Sequence, residues 1–341
     1  MISHKAHDPP SVSVIIVTWN SIQYLSGCLD ALAAQVFKDF EVVLIDNGST
    51  DDCLGVVNNY TSLLKIRLER LGENKGFAAA NNLGGRLARG QWLALLNTDA
   101  FPEPDWLEKL LAAAGNDPAF SFFASRQLQT NASHLLDGAG DAFHVSGVAW
   151  RRYAGWPSSQ FGLKMQEVFS PCAAAALYPR QAFLDVGGFD EDFFSYHEDV
   201  DLGFRLRLQG FRCLYVPEAV VHHIGSASYG KASAFAIYHG HRNLVWNYVK
   251  NMPPVLFWSY LPIHLLMNLV FLLYFSLKGQ SKAIWRAKRD GLRGLGLMLR
   301  KRKEIQRQRR APVRSLYRLM ERDWLAPLKF KVQQRRFSGE R

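Results

Sequence analysis

The first hundred residues alternate between short apolar runs and segments with apolar residues at helical spacing. Residues 12–18 form a continuous, β-branched apolar run, which is typical of a strand covered on both faces. Further strands are predicted at 40–45, 65–69 and 92–96. Between them, apolar residues three or four positions apart predict helices. Strands and helices that alternate at this pitch predict an α/β domain, with a mostly parallel, Rossmann-like sheet flanked by helices.

Polar side chains follow the predicted strands. Thr18 and Asn20 come at the end of the first strand, Asp46 ends the second, and Asn97 and Asp99 follow the fourth. Ligands of open parallel sheets bind beyond the carboxyl ends of the strands. The pattern therefore predicts a ligand site at this edge of the sheet.

The periodicity weakens in the middle of the chain and returns later. Residues 117–162 predict only loops and short strands. After residue 187 the chain predicts a turn, an acidic segment at 197–201, a helix over about 200–209 and a short strand at 213–216. Two adjacent histidines, His222 and His223, follow that strand.

Residues 252–277 contain no charged side chain and are rich in Leu, Phe, Trp and Tyr. As a helix they would span more than about 30 Å, enough to cross a bilayer. Prolines and two polar residues, His264 and Asn268, interrupt the run. One crossing would also place the basic end on the side of the membrane opposite the preceding residues, against the bias of Lys and Arg toward the cytoplasm if those residues are cytoplasmic. We expect a helix or re-entrant hairpin lying in one leaflet, with a full span or a buried core hairpin as alternatives.

Charge is distributed unevenly along the 341 residues. The whole chain carries 41 Lys and Arg against 30 Asp and Glu, but residues 278–341 alone carry 21 against 5. The preceding part is therefore mildly acidic, and the basic end indicates an anionic partner, either nucleic acid or a phospholipid surface. The uncharged segment beside it favours an anionic membrane surface and disfavours nucleic acid.

Composition excludes several other classes of protein. A hydrophobic content of 48% is that of a folded globular domain rather than a disordered chain. The four scattered cysteines argue against a zinc site or a disulfide framework, and they suit a reducing cytoplasm. The first ten residues lack an apolar segment, so no secretory signal is expected.

Six stretches, in this order, resemble glycosyltransferase family 2: VSVIIVTWN (12–20), EVVLIDNGSTDD (41–52), ENKGFAAANN (73–82), LLNTDA (95–100), GGFDEDFFSYHEDVDLGFRLRLQG (187–210) and VPEAVVHHIGSAS (216–228). The resemblance implies an inverting enzyme with a GT-A catalytic domain over residues 1–250. Residues 251–341 would then form a membrane-associated, basic helical extension. The later part, including HRNLVWNYVKNMP, is similar to rhamnosyltransferase-type members that act on lipid-linked acceptors.

The resemblance implies a nucleotide-sugar donor held at the strand ends. The donor-binding residues would be Thr18, Asn20, Asp46, Asn74, Gly76, Asn81, Asn97 and Asp99. Asp46 would accept hydrogen bonds from the nucleoside, and Gly76 would let backbone N–H groups approach a ligand at the start of a helix. Ordinary turn chemistry is the alternative for Asp46 and Asn74.

The segment Asn97-Thr98-Asp99 takes the place of the family's DxD motif. Hard divalent cations prefer carboxylate and phosphate oxygens, so Asp99 would bind Mg²⁺ or Mn²⁺. Asn97 departs from the pattern and leaves one carboxylate where two are common, which implies weak metal affinity without donor. By resemblance His223 completes the metal site; its alternative is a structural histidine bonded to a carbonyl.

The acidic segment supplies the expected general base. An acceptor hydroxyl must lose its proton as it attacks the anomeric carbon, and a carboxylate within hydrogen-bond reach can accept that proton. By resemblance this is Asp199, with Glu198 supporting it or touching acceptor hydroxyls. Capping of the following helix is the alternative role of these carboxylates.

The combined expectation is an inverting, metal-dependent glycosyltransferase of cell-surface polysaccharide synthesis. It would move rhamnose or a related hexose to a polyprenyl-diphosphate-linked glycan, as a peripheral or monotopic protein at the cytoplasmic face of the inner membrane. One alternative is a catalytically inactive, membrane-bound nucleotide-sugar-binding subunit, which the Asn97 departure motivates. A nucleotidyltransferase is the other; it would carry a Gly-rich basic loop where this chain has Trp19-Asn20-Ser21.

Overall fold

The computed structural model describes residues 9–225 and 233–338. Residues 1–8, on which most of the secretory-signal expectation rests, and the last three residues of the sixth matching stretch lie outside this part. The strands of the described chain are β1 (Val12–Thr18), β2 (Phe40–Asp46), β3 (Ile66–Arg70), β4 (Trp92–Asn97), β5 (Ala100–Pro102), β6 (Phe122–Gln129), β7 (Ala132–Ala139), β8 (Asp141–Phe143), β9 (Ala149–Arg151), β10 (Gln166–Val168), β11 (Ala175–Pro179) and β12 (Cys213–His223). Its helices are α1 (Ile22–Ala33), α2 (Cys53–Asn58), α3 (Gly76–Leu87), α4 (Trp106–Asn116), α5 (Arg180–Asp185), α6 (Glu198–Leu208), α7 (Ala234–Asn251), α8 (Pro254–Leu277), α9 (Ser281–Arg293), α10 (Leu295–Gln308), α11 (Val313–Leu319) and α12 (Ala326–Ser338).

One mixed sheet organises the first 225 residues, with the strand order β10-β12-β6-β11-β4-β1-β2-β3. The pairs β1–β2, β1–β4 and β2–β3 are parallel, as the alternation of strands and helices predicts. Strand β11 enters between β4 and β6 in the opposite direction. Its start therefore lies at the carboxyl end of β4, where it contributes to the site described below.

Both faces of the sheet are covered. The alternating side chains of β1 enter two different cores: Val14 and Ile16 pack under α1 and α4, whereas Ile15 packs under α3, α5 and α6. This double burial explains why β1 reads as a continuous apolar run rather than as an alternating one. All four cysteines are unpaired and buried.

Two segments differ from the sequence prediction. Residues 117–162, predicted as loops and short strands, hold β6 in the middle of the sheet and the strands β7, β8 and β9 beside it. Register shifts within the β6–β7 pair break the alternation that a regular strand would show. The short strand predicted at 213–216 continues through a further register shift as β12 as far as His223, so both histidines lie within the strand.

The later helices pack against the catalytic part through a third core. Buried residues of β8, α6 and α7 meet Leu256, Met298 and Leu316 from the C-terminal helices. Helix α8 is continuous rather than a hairpin, with Pro254 at its first position, where proline is tolerated. Among the described residues it is the one helix long and apolar enough to cross a membrane, and only 11% of its apolar window is buried.

Candidate active site

A cavity of about 370 Å³ opens at the edge of the sheet where β1 and β4 end. Asp99, which follows β4, and Asp199, the second residue of α6, both line it. The predicted site residues that line the same cavity are Asn74, Gly76, Asn97, Asp99, Glu198, Asp199 and His223. The structure thus brings together the two carboxylates predicted to act on opposite sides of one reacting sugar.

Strand pairing places His223 beside Asp99. The short strand β5 begins one residue after Asp99 and pairs with the end of β12, with Ala100 opposite His223. The N–H of Ile224 donates to the carbonyl of Asp99 at 3.0 Å. As a result, Nε2 of His223 lies 3.3 Å from Oδ1 of Asp99.

A second carboxylate orients the histidine. Nδ1 of His223 lies 2.7 Å from Oδ2 of Asp137 on β7, so Nδ1–H donates to that carboxylate and the lone pair faces out from Nε2. Nε2 is buried and makes no well-directed hydrogen bond with any described residue. Burial alone would lower the pKa of His223, but the two carboxylates beside it, of Asp137 and Asp99, outweigh burial and raise the pKa.

One half-buried cation faces several acids at the cavity wall. Arg151 of β9 forms an ion pair with Asp137, and its charge also acts on Asp141 and Asp199. Burial and then the charge of Asp199 raise the pKa of Asp141 well above its ordinary value. The carboxylates outnumber the positive charges here, so the cavity is suited to a cation bound with its substrate.

The two neighbouring acids of α6 differ in their surroundings. Asp199 accepts hydrogen bonds from the N–H groups of Val200 (2.8 Å) and Ala173 (3.3 Å). Glu198 is buried, and its Oε2 has no partner among the described residues. Burial and then the charge of Asp199 raise the pKa of Glu198 well above its ordinary value, and burial raises that of Asp199 as well. Because Asp199 has two N–H donors, it is the better of the two at holding negative charge.

The loop before these acids is strained. Phe194, Tyr196 and His197 all have a positive backbone φ, at 64°, 68° and 66°. Residues other than glycine seldom adopt this region. Asn243 on α7 holds this loop, because its Nδ2 donates to the carbonyls of Phe193, Ser195 and Tyr196 at 2.7–3.0 Å. Strain at a site persists where surrounding contacts fix it, so Asn243 is part of what positions Asp199.

Behind the acidic segment lies a buried network of charges. Asp201 and Arg205, whose spacing predicts a helix-surface ion pair, do pair at 2.7 Å, but both are buried. Lys250 of α7 bridges Asp201 (2.6 Å) and Asp190 (2.5 Å), and Asp190 also contacts Lys301 of α10 at 2.5 Å. The later helices are therefore bonded directly to the segment that carries Asp199.

Asn74 and Gly76 line the cavity mainly by shaping its backbone. Oδ1 of Asn74 accepts hydrogen bonds from the N–H of Gly76 (2.9 Å) and from Nδ2 of Asn47 (3.0 Å). Gly76 has a φ of +85°, and the ring of Phe194 occupies the space that a Cβ would take, 2.6 Å away. The N–H predicted to approach a ligand therefore donates to Asn74 in this structure.

The other predicted donor-site residues lie at the same edge without lining the cavity. Thr18 is buried, with Oγ1 3.4 Å from Sγ of Cys53. Oδ1 of Asn20 accepts hydrogen bonds from both the N–H and the hydroxyl of Thr50. Oδ1 of Asp46 accepts one from the N–H of Ser49 (2.9 Å). These three residues brace the loops that follow β1 and β2.

Asn81, predicted near the donor, makes a local bond instead. Its Nδ2 donates to the carbonyl of Phe77 one turn earlier in α3, at 2.9 Å, and the side chain is buried. Trp150 and Trp156, whose rings could stack on a sugar, lie in different places. Trp150 lines the cavity, whereas Trp156 packs against Phe161 and Phe337 outside it.

Asp137, Asp141 and Arg151 are site residues that the sequence prediction missed. They lie on β7, β8 and β9, in the segment whose periodicity is weak. The available signal was the run Asp137-Gly-Ala-Gly-Asp141, in which two acids flank three small residues and Gly140 has a φ of +71°. Acids around such a tight backbone are a hint of a site rather than of a core strand.

Comparison with known proteins identifies relatives. Residues 13–187 match the family model described as Glycosyl transferase family 2. A protein from Mycobacterium tuberculosis, named N-acetylglucosaminyl-diphospho-decaprenol L-rhamnosyltransferase, is 32% identical over 257 residues, 66% of this chain and 80% of the relative. A validoxylamine A glucosyltransferase from Streptomyces hygroscopicus subsp. jinggangensis is 32% identical over 222 residues, 59% of this chain. The chain spans only 52% of that relative and 25% of another, an uncharacterized protein of Sinorhizobium fredii.

Solved structures share the fold. The mannosyltransferase PcManGT from Pyrobaculum calidifontis, in complex with GDP-Man and Mn²⁺, superposes with a TM-score of 0.55 at 17% identity. The match covers 95% of this chain and 87% of PcManGT. The predicted GT-A architecture, a mostly parallel sheet flanked by helices, is confirmed.

Proposed function

Because this chain belongs to glycosyl transferase family 2, we propose that it moves a sugar from a nucleotide-diphosphate sugar onto an acceptor hydroxyl, in one displacement that inverts the anomeric carbon. The observation that carries this proposal is that Asp99 and Asp199 line one cavity. A departing diphosphate needs positive charge, and an attacking hydroxyl needs a proton acceptor. Asp99 offers a site for a cation that supplies this positive charge, and Asp199 offers the proton acceptor.

Asp99 and His223 are the residues that would hold a divalent cation, Mg²⁺ or Mn²⁺. The buried Nε2 of His223 lacks a hydrogen-bond partner among the described residues, and it lies 3.3 Å from Oδ1 of Asp99. Two ligands of one metal ion are about 3 Å apart, so this pair fits a shared cation. When bound, the cation supplies positive charge to the diphosphate and stabilises its departure.

The protein offers few ligands of its own. Among the described residues, no group of three or more His, Cys, Asp or Glu side chains converges on one point. Asn97 lines the cavity where a second carboxylate is common. The donor's phosphate oxygens would therefore complete the coordination, and the affinity for metal would be low until the donor binds.

Asp199 is proposed as the general base. It is partly open to the cavity, and two backbone N–H groups hold its carboxylate. Glu198, buried beside it, would stay protonated and donate a hydrogen bond to an acceptor or to its neighbour. Arg151 offsets part of the repulsion among the surrounding acids, because its charge acts on Asp137, Asp141 and Asp199.

Sugar and acceptor are proposed from the mycobacterial relative and from the surface of α8. That relative is named for transfer of L-rhamnose onto an N-acetylglucosaminyl-diphospho-decaprenol. For this chain we propose rhamnose or a related hexose, from a donor such as dTDP-rhamnose, and a glycan linked to a polyprenyl diphosphate. Such acceptors of cell-surface polysaccharide synthesis lie in a membrane. We propose that the enzyme works at the cytoplasmic face of that membrane.

Helix α8 has the surface that such work requires. Its polar residues face the protein: Nδ1 of His264 contacts the carbonyl of Ser146 at 2.7 Å, and Oδ1 of Asn268 accepts from Lys288. Its opposite side exposes Trp258, Leu265 and Leu269 among other apolar residues. An apolar face beside basic helices is the arrangement of a helix that lies in one leaflet on anionic headgroups. We propose this peripheral or monotopic placement rather than a full span.

A screen of nucleotide-sugars tests the proposed reaction. The purified protein is expected to release free nucleotide from one donor of the panel, with Mg²⁺ or Mn²⁺ present and not with chelator. The Asp99→Ala variant is expected to lose this release, because one of two protein ligands is removed. A protein that binds a nucleotide-sugar but releases nothing from any donor, with or without acceptor, would instead be the inactive subunit.

Vesicle binding tests the proposed membrane face. The protein is expected to sediment with anionic phosphatidylglycerol vesicles at low salt. The double change Leu265→Asp and Leu269→Asp, at positions 60% and 52% exposed, should weaken binding by about tenfold or more, because burying a charge in the interface is unfavourable. Leu63→Asp, at a position 66% exposed on the catalytic part, should leave binding unchanged. Complete recovery of the unmodified protein in the supernatant would contradict this placement.

A further inference from the structure

A second cavity, of about 520 Å³, lies beside the C-terminal end of α8. Its walls come from the start of α7, from Gly279 and Gln280 after α8, and from the first turns of α9. The proposed reaction assigns no role to this cavity. Its position between the exposed helix and the active-site loop raises the question of what it holds.

The cavity is lined by two cations. Lys282 and Arg286 lie four positions apart on α9 and therefore point from the same face of the helix. Lys282 is exposed and has no hydrogen bond or ion pair with any residue that the structure describes. The guanidinium of Arg286 lies over the ring of Tyr238, 4.7 Å from its centroid, and 3.7 Å from Asp290, beyond hydrogen-bond length. Both donors remain available to an anion.

No acidic side chain of the described residues lines this cavity. His239, which does line it, is neutral near pH 7, because burial and then the charge of Arg242 lower its pKa to about 4. The lining side chains therefore carry a net positive charge, which Asp290 outside the lining compensates only in part through its 3.7 Å ion pair with Arg286. Phosphate and diphosphate are the anions that a lysine and an arginine one turn apart bind well.

A layer of packed aromatic rings separates this cavity from the active site. Phe235 and His239 form part of its wall. They pack against Phe194, which lines the first cavity, with ring centroids 6.2 and 5.4 Å apart. Tyr196, another residue of the first cavity, lies 6.2 Å from Phe235. A ligand held by Lys282 and Arg286 is therefore next to the loop that leads into Asp199.

The other side of the cavity continues into an apolar surface. The last turns of α8 expose Leu273, Tyr274 and Leu277, and the chain then turns through Gly279 and Gln280 into the cavity wall. In one direction there is thus a lipid-facing surface, and in the other a sugar-transfer site. A ligand that matches all three regions has an apolar chain, an anionic junction and a sugar, in that order.

We propose that the second cavity binds the phosphate groups of a lipid-linked acceptor, with Lys282 and Arg286 as their ligands. The isoprenoid chain lies along the end of α8, and the sugar passes the Phe194–Phe235 layer to reach Asp199. This inference rests on the proposed function and adds to it the place where the acceptor's anionic group is held.

Binding of a short isoprenoid diphosphate tests the cavity directly. The full chain in detergent micelles is titrated calorimetrically with farnesyl diphosphate, with chelator present so that no cation recruits the diphosphate to the active site. We expect farnesyl diphosphate to bind about tenfold or more tightly than inorganic diphosphate or farnesol, because both the chain and the anion contribute. The double change Lys282→Ala and Arg286→Ala is expected to weaken its binding by about tenfold or more, because two charge-assisted contacts are lost.

A second pair of cations on the basic tail gives the matched control. Arg300 and Lys303 of α10 are exposed and lie outside the cavity. Changing both to alanine removes the same charge as the Lys282/Arg286 double change. The Arg300/Lys303 variant should bind farnesyl diphosphate within about twofold of the unmodified protein, because neither residue lies at the cavity. A general attraction of the diphosphate to the basic tail would instead weaken binding in both double variants alike. Equal losses in the two double variants would overturn the proposal. So would a Lys282/Arg286 variant that keeps farnesyl diphosphate but loses phosphatidylglycerol vesicles, since the cavity would then serve a phospholipid headgroup.

Turnover separates this inference from the proposed function. If both hold, the Lys282/Arg286 variant raises KM for the lipid-linked acceptor about tenfold or more, while nucleotide release from the donor in its absence is unchanged. If the cavity is assigned wrongly, that variant has the KM of the unmodified protein. If the proposed function is wrong, the unmodified protein releases no nucleotide from any donor, and the comparison of farnesyl diphosphate binding still stands.

Discussion

The Asp199→Asn variant is expected to lose kcat for sugar transfer by about 10²–10⁴-fold, the range that a positioned general base contributes. The amide is nearly the same size as the carboxylate, and its oxygen still accepts the hydrogen bond from the N–H of Val200. It cannot accept the proton of the attacking hydroxyl. Donor affinity, measured by calorimetry with metal present, should stay within about threefold, because the role proposed for Asp199 is toward the acceptor rather than the donor.

Two further variants decide what such a loss means. Glu198→Gln replaces a carboxyl group that burial keeps protonated, so it should cause a smaller loss of about tenfold, the value of one hydrogen bond. Asp185→Asn makes the same chemical change on the exposed surface of α5 and should retain full kcat. If Glu198→Gln lost more activity than Asp199→Asn, the assignment of the base would pass to Glu198.

The residues that could be predicted from the sequence are those placed by regular elements. Asn97 ends and Asp99 follows a strand whose apolar run is unambiguous, and Asp199 lies in the first turn of a helix. Parallel pairing then aligns the carboxyl ends: Thr18 lies opposite Asp46, and Val17 lies opposite Asn97. Once the order of strands follows from alternation, the edge at which these side chains meet follows as well.

The residues that could not be predicted depend on contacts between distant parts of the chain. Asn243 holds the loop before Asp199 from a helix that begins 35 residues after that acid. The sequence around Asn243 predicts only an ordinary helix. Asp137 is placed by β7, whose pairing with β6 includes register shifts. Short, irregular strands carry no periodic signal, so the sequence did not predict that Asp137 is the partner of His223.

Helix α8 differs from its sequence prediction for a further reason. Its proline and polar residues argued against one straight helix, because proline inside a helix and polar groups in lipid are unfavourable. In the structure Pro254 occupies the first helical position, the helix continues through Pro262, and His264 and Asn268 bond to the protein rather than facing outward. Composition alone does not tell which side of a helix its polar residues occupy.

Replacing Lys250 with methionine is expected to lower the free energy of unfolding by about 3–5 kcal/mol. The side chain is 1% exposed, and its ammonium lies between the carboxylates of Asp190 and Asp201. Methionine has a similar volume but no charge, so it would leave two buried acids with fewer cations. Lys301 still pairs with Asp190 and Arg205 with Asp201, so the fold should survive in a weakened form. Urea denaturation followed by tryptophan fluorescence measures the change.

The cause of that loss can be separated from the loss of packing. Adding Asp190→Asn to Lys250→Met removes one of the unpaired acids, so the double variant should recover part of the stability. Lys329→Met breaks an exposed ion pair with Asp323 and should leave the urea midpoint almost unchanged. If Lys250→Met unfolded at the same urea concentration as Lys329→Met, the buried network would not be what fixes the later helices to the acidic segment. Because that segment leads into Asp199, we also expect the Lys250 variant to lose transfer at temperatures where it is still folded.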